Sequence, residues 1–210
     1  VTGVQTCALP ISGGTLVEKC CHYFNLMDHI AQERPVRVFA SGGQRVNFLD
    51  EIYDGKRADM LDSAYVIVEY PSGKRAMLDL CMFAENTLDK EHISVTGNEG
   101  KVESFLPSLE LRHGKRAAVG SFKEWTHDAS KTKELDVRKI WNEKIKYNGF
   151  HYGASYLEHL KFFDAIQGKA APEVTLEDGL RSVATGIAAH KSINECRPVL
   201  MSEVLPAGWR

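Results

Sequence analysis

The sequence predicts an α+β fold with a mostly antiparallel or mixed β-sheet, helices packed on one face of that sheet and the other face available for oligomerisation. Three observations support this prediction. A helical pattern opens the chain, two hairpin patterns follow in its middle, and two amphipathic helical patterns come after them. Strands therefore dominate the middle of the chain and helices its two ends.

The first eleven residues, "VTGVQTCALPI", do not fit a folded domain or a signal peptide. A signal peptide begins with basic residues and continues into a sustained apolar stretch, whereas this segment is uncharged and has no initiator methionine. Its codons can be written so that they match a sequencing adapter translated in frame. We therefore expect residues 1–11 to be non-native and residues 12–210 to be one domain of a protein that was cut before Ser12.

Composition excludes several classes of protein. Hydrophobic residues make up 43% of the chain and charged residues 26%, and no apolar run approaches the ~18 residues that span a bilayer. The formal net charge of -2 provides no basic face for nucleic acid, so small molecules or proteins are the expected partners. Cys20, Cys21, Cys81 and Cys196 lack zinc-type spacing and disulfide-framework density, which indicates reduced thiols in a cytoplasm.

The first predicted helix covers "TLVEKCCHYFNLMDHIAQE", about four turns that end before Pro35, because the residue before a proline is pushed toward extended geometry. At about 100° per residue, one line of this helix carries four polar side chains. They are Glu18, His22, Asn25 and His29. Cys20, Phe24 and Met27 lie roughly opposite this line.

The strands come next. "VRVFASGG" predicts a short strand ending in glycines, and "SAYVIVEYPSGKRAMLDLCMF" predicts two strands around a Pro-Ser-Gly turn. "HISVTGNEGKVESFL" repeats the hairpin pattern, with a tight turn between Gly97 and Gly100. The first hairpin is apolar on both faces: Ala64, Val66, Val68 and Tyr70 on one, Tyr65 and Ile67 on the other. We therefore expect helices on one face and a second subunit or domain on the other.

A long irregular connection with at most one strand is predicted from Lys115 to Gly149. The helix that follows, in "SYLEHLKFFDAIQG", has Ser155 and Glu158 at the spacing of a capping box. Gly168 stands where this helix would end.

The last predicted helix, in "TLEDGLRSVATGIAAHKSI", has Thr175 and Asp178 at the same capping-box spacing. Apolar residues then recur at i, i+3, i+4 and i+7, at Leu180, Val183, Ala184 and Ile187. This pattern predicts an amphipathic helix that covers the sheet with that stripe.

The polar line of the first helix can support acid–base chemistry. A carboxylate one turn before a histidine can fix the tautomer of the ring and hold positive charge on it, as a general base requires. Two other interpretations remain. The line can be a solvated helix face with an i,i+4 pair, or a metal site, although nothing nearby clearly completes a ligand set.

"GGTLVEKCCHYFNLMDHI" resembles the motif that opens the C-terminal domain of the Gfo/Idh/MocA family, the nicotinamide-dependent sugar and polyol oxidoreductases. The family motif has a glycine-rich entry, an acidic residue and a histidine four positions later. "DSAYVIVEYPSGKRAMLDLCMF", "ISVTGNEGKVESF" and "VTLEDGLRSVATGIAAHKSINECRPV" resemble later parts of that domain, in the same order. The resemblance covers nearly all of the chain from Ser12 to Pro206.

This resemblance implies functions for three residues of the first helix. His22 would lie beside the substrate carbon that exchanges hydride with the nicotinamide, and would accept or return the hydroxyl proton. Glu18 occupies a position where the family usually has Asp, and would orient or hydrogen-bond substrate hydroxyls. Asn25 occupies a position where many members have Asp, and would bind substrate. Both differences from the family motif affect which substrate the site would accept.

The resemblance also implies a preceding Rossmann domain that binds NAD or NADP. This chain contains no G-x-G-x-x-G after a strand, and Lys19 is not the family's catalytic lysine, which belongs to a Glu-Lys-Pro motif absent here. The expected function is the C-terminal half of an NAD(P)-dependent oxidoreductase acting on a sugar or polyol hydroxyl, binding no cofactor alone and inactive alone. The alternative is a non-catalytic dimerisation or sugar-binding module of the same fold.

A further candidate site is the loop "NGFHYGASY", just before the predicted capped helix. His151 and Tyr152 of this loop could donate hydrogen bonds to sugar hydroxyls and line a pocket. The other interpretation of these residues is an aromatic loop packed on the edge of the sheet.

Overall fold

A computed structural model describes residues 13–53, 55–116, 135–149 and 151–209, so the segment predicted to be non-native, residues 1–11, lies outside the described residues. The chain divides into two compact units. The first unit is Val1–Phe83 with Glu173–Arg210, and the second unit is Ala84–Pro172. Within the described ranges, no helix is long and apolar enough to cross a membrane.

Helices and strands together give the predicted α+β fold. In chain order the elements are α1 (Thr15–Glu18), α2 (Cys21–Ala31), β1 (Arg37–Gly43), β2 (Ile52–Tyr53), β3 (Lys56–Arg57), β4 (Ser63–Glu69), β5 (Arg75–Cys81), β6 (Glu91–Thr96), β7 (Gly100–Leu106), β8 (Glu110–Lys115), β9 (Leu135–Lys139), α3 (Ala154–Ile166), α4 (Leu176–Glu195), β10 (Val199–Leu200) and a 3₁₀ turn (Met201–Glu203). β2 and β3 form a separate two-stranded sheet.

The larger sheet of the first unit has the strand order β10-β1-β4-β5, and its neighbouring strands are antiparallel. β4 and β5 form the predicted hairpin. In its turn the Tyr70 amide donates to the Lys74 carbonyl at 3.0 Å, and Gly73 has a φ of 86°. Side chains other than glycine rarely adopt that φ, which explains why the turn contains Gly73.

One face of this sheet forms the core. Val38, Val66 and Val68 are at most 1% exposed, and burying each such side chain contributes roughly 1.5–3 kcal/mol. α4 crosses the same face, where Ser192 Oγ accepts a hydrogen bond from the Ala40 amide at 2.9 Å. The prediction that helices cover one face of the sheet is therefore confirmed.

Helix α4 begins at the predicted capping box. The Asp178 amide donates to Thr175 Oγ1 at 3.2 Å, and the Thr175 amide donates to Asp178 Oδ2 at 2.8 Å. Its predicted buried stripe is only partly right, because Ala184 is buried whereas Ile187 is 44% exposed. The buried face consists mainly of small residues: Ser182, Thr185, Gly186, Ala188, Ala189 and Ser192.

The other face of the larger sheet carries exposed apolar side chains. The strand register places Phe39 opposite Ile67 and Ile67 opposite Met77, with exposures of 42%, 39% and 62%. Tyr65, 59% exposed, lies in the adjacent row. We call these four residues the open sheet face. Its covering by a second subunit stays a prediction.

The second unit contains a four-stranded antiparallel sheet of order β6-β7-β8-β9. β6 and β7 form the second predicted hairpin, in which the Gly97 amide donates to the Gly100 carbonyl at 2.9 Å. β9 is the single strand expected in the long connection, of which residues 117–134 lie outside the described residues. The sequence patterns do not anticipate β8.

Helix α3 does not use the predicted capping box. Its N-cap is Gly153, with a φ of 90° and no side-chain cap, so Ser155 lies inside the first turn and Glu158 plays no capping part. Ser155 Oγ instead lies 3.0 Å from His151 Nδ1. Gly168 follows the end of the helix with a φ of 69°, close to the predicted end.

Candidate functional site

The predicted first helix is two helices, because the α-helical pattern breaks at Lys19 and Cys20. The Cys20 amide donates to the Thr15 carbonyl at 3.2 Å, a hydrogen bond that spans five residues instead of four. The Phe24 amide then donates to the Cys20 carbonyl at 3.1 Å, and α2 begins. The prediction of one continuous four-turn helix is therefore wrong. Wide turns of this kind occur frequently at functional sites.

Contacts with distant parts of the chain hold α1 in place. Thr15 Oγ1 donates to the buried Leu61 carbonyl at 2.7 Å. On α4, a Cβ at Gly186 would lie 2.5 Å from the Leu16 carbonyl oxygen and 3.0 Å from Val17 Cα, so only glycine permits this approach. These contacts fix the end of α1 and hence the wide turn that follows it.

Glu18 and His22 lie on the exposed side of this α1–α2 junction. Leu16, Cys20 and Phe24 form its buried side and are at most 1% exposed. Glu18 and His22 each follow a buried residue by two positions, which directs them away from the core, and both are exposed. The His22 imidazole is therefore accessible to a small molecule.

A cavity of about 390 Å³ lies in the first unit at the C-terminal end of α2. α2 contributes Asn25, Asp28 and His29 to its walls, and α4 contributes Arg181. Two members of the predicted polar line thus share one cavity, while the N-terminal pair of that line remains at the α1–α2 junction.

Asp28 carries an unusual carboxyl group in this cavity. Its Oδ1 accepts a hydrogen bond from the Tyr70 hydroxyl at 2.9 Å, and Tyr70 is only 3% exposed. Burial raises the pKa of Asp28 from its ordinary value of 3.8 to about 6, although the Tyr70 hydrogen bond and the charge of Arg181 lower it. Burial and the charge of Asp28 also raise the pKa of Tyr70. The ionised carboxylate is thus maintained at a cost in stability.

Sequence reasoning missed the Asp28–Tyr70 pair. The two residues are 42 positions apart, and their contact depends on how the β4–β5 hairpin packs against α2. One local signal was present. Asp28 follows Asn25 by three positions, a spacing that makes two side chains neighbours on a helix surface.

The charges around Arg181 are paired within the protein. Arg181, 8% exposed, donates from Nε and Nη2 to Glu177 Oε1 at 3.1 and 2.9 Å. Arg34 forms an ion pair with the same carboxylate. The hydrogen bonds from Thr175 hold the pKa of Asp178 below its usual range. Arg34 and Arg181 therefore share the single carboxylate of Glu177 beside this cavity.

Asp28→Asn should stabilise the protein at neutral pH. A carboxyl group whose pKa is raised on folding contributes stability that is fully present below its unfolded pKa of 3.8 and is lost as pH rises through about 6. Asparagine stays neutral and can still accept from Tyr70. The free energy of unfolding, measured with urea, should therefore rise by about 1–3 kcal/mol at pH 7.5 and hardly change at pH 4.

The matched control for this prediction is Asp59→Asn, since Asp59 is an exposed carboxylate of the same unit. It should change stability by less than about 0.5 kcal/mol at either pH. Tyr70, Asp178 and Arg181 face Asp28 in the parent and variant alike, so their titration largely cancels in the comparison. An equal gain at both pH values, or a loss at pH 7.5, would contradict the prediction.

His151 and Tyr152 belong to the second unit, in the turn before α3. His151 is exposed and hydrogen-bonds with Ser155 Oγ through Nδ1, and Tyr152 is half-buried with a φ of 52°. The cavity of the first unit contains neither residue among its walls. Their binding of sugar hydroxyls stays a prediction.

A metal ion and a dinucleotide each require a characteristic arrangement of residues. Among the described residues, no cluster of three or more His, Cys, Asp or Glu is placed to hold a metal ion. A Rossmann fold holds its dinucleotide at a glycine-rich turn between a parallel strand and a helix, whereas the described strands pair antiparallel. The binding of NAD or NADP by a preceding domain, and not by this chain alone, stays a prediction.

Comparison with protein families identifies the fold. The model of the oxidoreductase family, C-terminal alpha/beta domain, matches residues 10–201. The chain belongs to the Gfo/Idh/MocA family. Membership agrees with the antiparallel sheets and flanking helices of this Gfo/Idh/MocA domain.

Similar proteins include a myo-inositol 2-dehydrogenase of Thermotoga maritima, 28% identical over 199 residues, which are 93% of this chain and 51% of that protein. An NAD binding oxidoreductase from Klebsiella pneumoniae matches with a TM-score of 0.68 at 17% identity, over 96% of this chain and 54% of that one. A levoglucosan dehydrogenase in complex with NADH and levoglucosan matches with a TM-score of 0.67 at 16% identity, over 93% and 53%. The chain thus spans about half the length of these Gfo/Idh/MocA-like relatives.

Proposed function

We propose that this domain is the substrate-binding half of an NAD(P)-dependent oxidoreductase that acts on a hydroxyl group of a sugar or polyol. The observation that carries the proposal is the exposed pair Glu18 and His22 at the α1–α2 junction of an oxidoreductase-family domain. The activities of the Thermotoga relative and of levoglucosan dehydrogenase support it. NAD or NADP would be held by another domain, so this chain alone binds no cofactor and is inactive.

His22 acts as the general acid and base in this proposal. Oxidation of an alcohol removes a hydride, which the nicotinamide takes when bound, and also the hydroxyl proton. The imidazole of His22 takes that proton and returns it in the reverse reaction, as a positioned general acid–base group does. Its exposure leaves room for the reacting hydroxyl.

Substrate positioning falls to neighbouring polar groups. Glu18 accepts hydrogen bonds from substrate hydroxyls, and Asn25, three residues after His22, is close enough along α2 to bind the same molecule. In the second unit, taken by itself, His151 and Tyr152 offer hydrogen-bond donors to sugar hydroxyls. These assignments follow the family resemblance and the polar character of each side chain.

The reaction class is tested by joining this chain to its nucleotide-binding half and measuring NADH or NADPH formation with a panel of polyols and sugars. Turnover that depends on the polyol is expected. If no member of the panel is oxidised while polyols still bind, the domain is a binding module and the proposed reaction is wrong.

We further propose that the open sheet face joins two copies of the chain. Phe39, Ile67 and Met77 form an apolar row across three strands. Arg37 and Glu69 form an ion pair in the next row, so the patch has an apolar centre and a polar rim, as protein interfaces do. A homo-oligomer built on this face is the expected state.

Ile67→Glu should dissociate that oligomer, because it places a charge in the centre of the apolar row. We expect association to weaken by about thirtyfold or more, measured by sedimentation equilibrium. Ile187→Glu is the matched control on helix α4, where Ile187 is exposed to a similar extent, 44% against 39% for Ile67. An unchanged mass for Ile67→Glu, or dissociation by Ile187→Glu alone, would place the contact elsewhere.

We also propose a cytoplasmic location. The cysteines among the described residues, Cys20, Cys21, Cys81 and Cys196, are free thiols. Thiols are kept reduced in the cytosol, whereas oxidising compartments favour disulfides. Their state supports the proposal.

A further inference from the structure

Helix α4 comes into direct contact with the backbone of α1 at Gly186. A Cβ at this position would lie 2.5 Å from the Leu16 carbonyl oxygen, 2.9 Å from the Leu16 carbonyl carbon and 3.0 Å from Val17 Cα. These are backbone atoms, so no rotation of a side chain can relieve the overlap. A residue larger than glycine would therefore displace the backbone of α1 by about 1 Å before the contact reached an ordinary van der Waals distance.

This contact lies where the α-helical hydrogen bonds of α1 end. In a regular α-helix the Cys20 amide would donate to the Leu16 carbonyl, four residues earlier. It donates instead to the Thr15 carbonyl at 3.2 Å, which makes the wide turn. The carbonyl that the Cys20 amide passes over is the one that lies against Gly186. The close approach of α4 and the wide turn therefore meet at the same peptide group.

Thr15 is a second anchor of the wide turn. Its side chain is fully buried, and its Oγ1 donates to the Leu61 carbonyl at 2.7 Å. Leu61 lies two residues before β4, so this hydrogen bond attaches α1 to the larger sheet of the first unit. The carbonyl of Thr15 is also the acceptor of the Cys20 amide. One residue thus connects the wide turn to the sheet.

The wide turn separates the two residues of the candidate catalytic pair. Glu18 is the last residue of α1, and His22 is the second residue of α2. In one unbroken helix, side chains four residues apart are neighbours on the same face. A wider turn between them changes both their separation along the helix and the rotation about its axis. The direction of the imidazole relative to the carboxylate therefore depends on the turn.

We propose that Gly186 and Thr15 are positioning residues for His22. They fix the wide turn and, through it, the directions in which the His22 imidazole and the Glu18 carboxylate project. Both act through the backbone of α1, and neither contacts substrate. The structural part of this inference concerns the chain alone, and its consequence for catalysis rests on the proposed oxidoreductase function.

The structural part is tested on the 210-residue chain by nuclear magnetic resonance. Gly186→Ala should displace the backbone amide signals around the wide turn, those of Glu18, Cys20 and His22. Hydrogen exchange of the Cys20 amide should accelerate about tenfold or more, because its hydrogen bond is weakened. Gly179→Ala is the matched control on the same helix, since a Cβ there would have open space around it among the described residues. Equal spectra around the turn for the two variants would overturn the proposal.

Thr15→Val tests the second anchor with little change of shape, because a methyl group replaces only the hydroxyl. It should displace the same amide signals as Gly186→Ala. Thr15→Ser keeps the hydroxyl and should return those signals toward their positions in the parent. This pair decides the matter if Gly186→Ala does not fold, as judged by thermal melting. Unmoved signals in Thr15→Val, or an equal displacement in Thr15→Ser, would show that the hydrogen bond to Leu61 does not hold the turn.

The consequence for catalysis is tested with the enzyme that contains both halves. A misplacement of about 1 Å can lower a rate about 10²-fold, so Gly186→Ala should reduce kcat by about ten- to a hundredfold with little change in KM. Gly179→Ala should keep the rate of the parent. Gly186→Ala combined with His22→Ala should be no slower than His22→Ala alone, because both changes remove the same imidazole from its place. Additive losses, or an effect on KM alone, would mean that Gly186 does not act through His22.

The two kinds of measurement separate this inference from the proposed function. If no polyol is oxidised while Gly186→Ala and Thr15→Val still displace the signals of Glu18 and His22, the proposed function is wrong and the anchors of the wide turn are confirmed. If polyols are oxidised and both variants keep the spectrum and the kcat of the parent, the proposed function stands and the positioning residues are wrong.

Discussion

His22→Ala should lower kcat of the full-length oxidoreductase by about 10² to 10⁴, the usual contribution of a positioned acid–base group. Without the imidazole, the proton of the reacting hydroxyl must go to water, which is neither fixed in place nor basic enough. KM should change much less, because His22 moves a proton and is not the main source of substrate binding. Steady-state rates with the best polyol, measured in both directions, check this expectation.

Two further readouts separate proton transfer from a structural effect of this substitution. The variant should lose the limb of the pH–rate profile that reports the base, and added imidazole should restore part of the rate. His113→Ala is the control, since His113 is a half-buried histidine on β8 to which no function is assigned. A rate for His22→Ala within a few-fold of the parent would show that another group is the base.

Elements set by short-range patterns were predicted well from the sequence. The Thr175–Asp178 capping box and the turn containing Gly73 each depend on side chains and backbone angles within four residues. The Gly97–Gly100 hairpin is of the same kind. Local chemistry decides such features, so one sequence is enough to find them.

Elements set by distant contacts were predicted poorly. The break between α1 and α2 is accompanied by the anchoring of Thr15 to Leu61 and by the close approach of Gly186, neither of which leaves a periodic pattern. The prediction of the buried side of α4 failed for a similar reason. A helix that packs this closely buries small residues such as Ser192, whereas apolar periodicity selects large ones such as Ile187.

The candidate site divides along the same lines. The resemblance of a contiguous motif nominates Glu18, His22 and Asn25, whose roles stay predictions, whereas the contact of Asp28 with Tyr70 exists only in the folded chain. A cavity is formed by several elements together. Spacing along the first helix placed Asn25 and His29 on one line, and both line the cavity, but it gave no information about Arg181 on α4.

Asp28 and Asp62 are partly and fully buried carboxyl groups whose pKa values shift in opposite directions. Asp62 is fully buried, and burial alone would raise its pKa, but hydrogen bonds from the backbone amides of Asn47, Val46 and Arg45 outweigh that effect and lower it. Asp28 has a single partner and a raised pKa. A carboxylate with several amide donors stabilises a fold, whereas one with a single donor and a raised pKa destabilises it when ionised.

Asp62→Ala should lower the free energy of unfolding by about 3 kcal/mol or more. Asp62 Oδ2 accepts from the amides of Arg45, Val46 and Asn47 at 3.0, 2.7 and 2.9 Å, and Oδ1 accepts from Arg45 and from Ser63 Oγ. Alanine leaves these donors without their acceptor, and each partly buried unsatisfied group costs about 1–3 kcal/mol. Urea unfolding at pH 7 measures the loss.

The pH dependence of this loss of stability is the most specific test of the prediction. A carboxyl group whose pKa is lowered on folding contributes stability that is present above its unfolded pKa and is lost as pH falls through the folded pKa. The difference in free energy of unfolding between the parent and Asp62→Ala should therefore shrink on acidification. Asp28→Asn should show the reverse, with its effect growing as pH rises. Asp62→Asn keeps one oxygen for the three amides and should cost less than alanine. A loss for Asp62→Ala no larger than that for the exposed Asp59→Ala would mean that water replaces the carboxylate without penalty, and the loop after β1 would need another source of order.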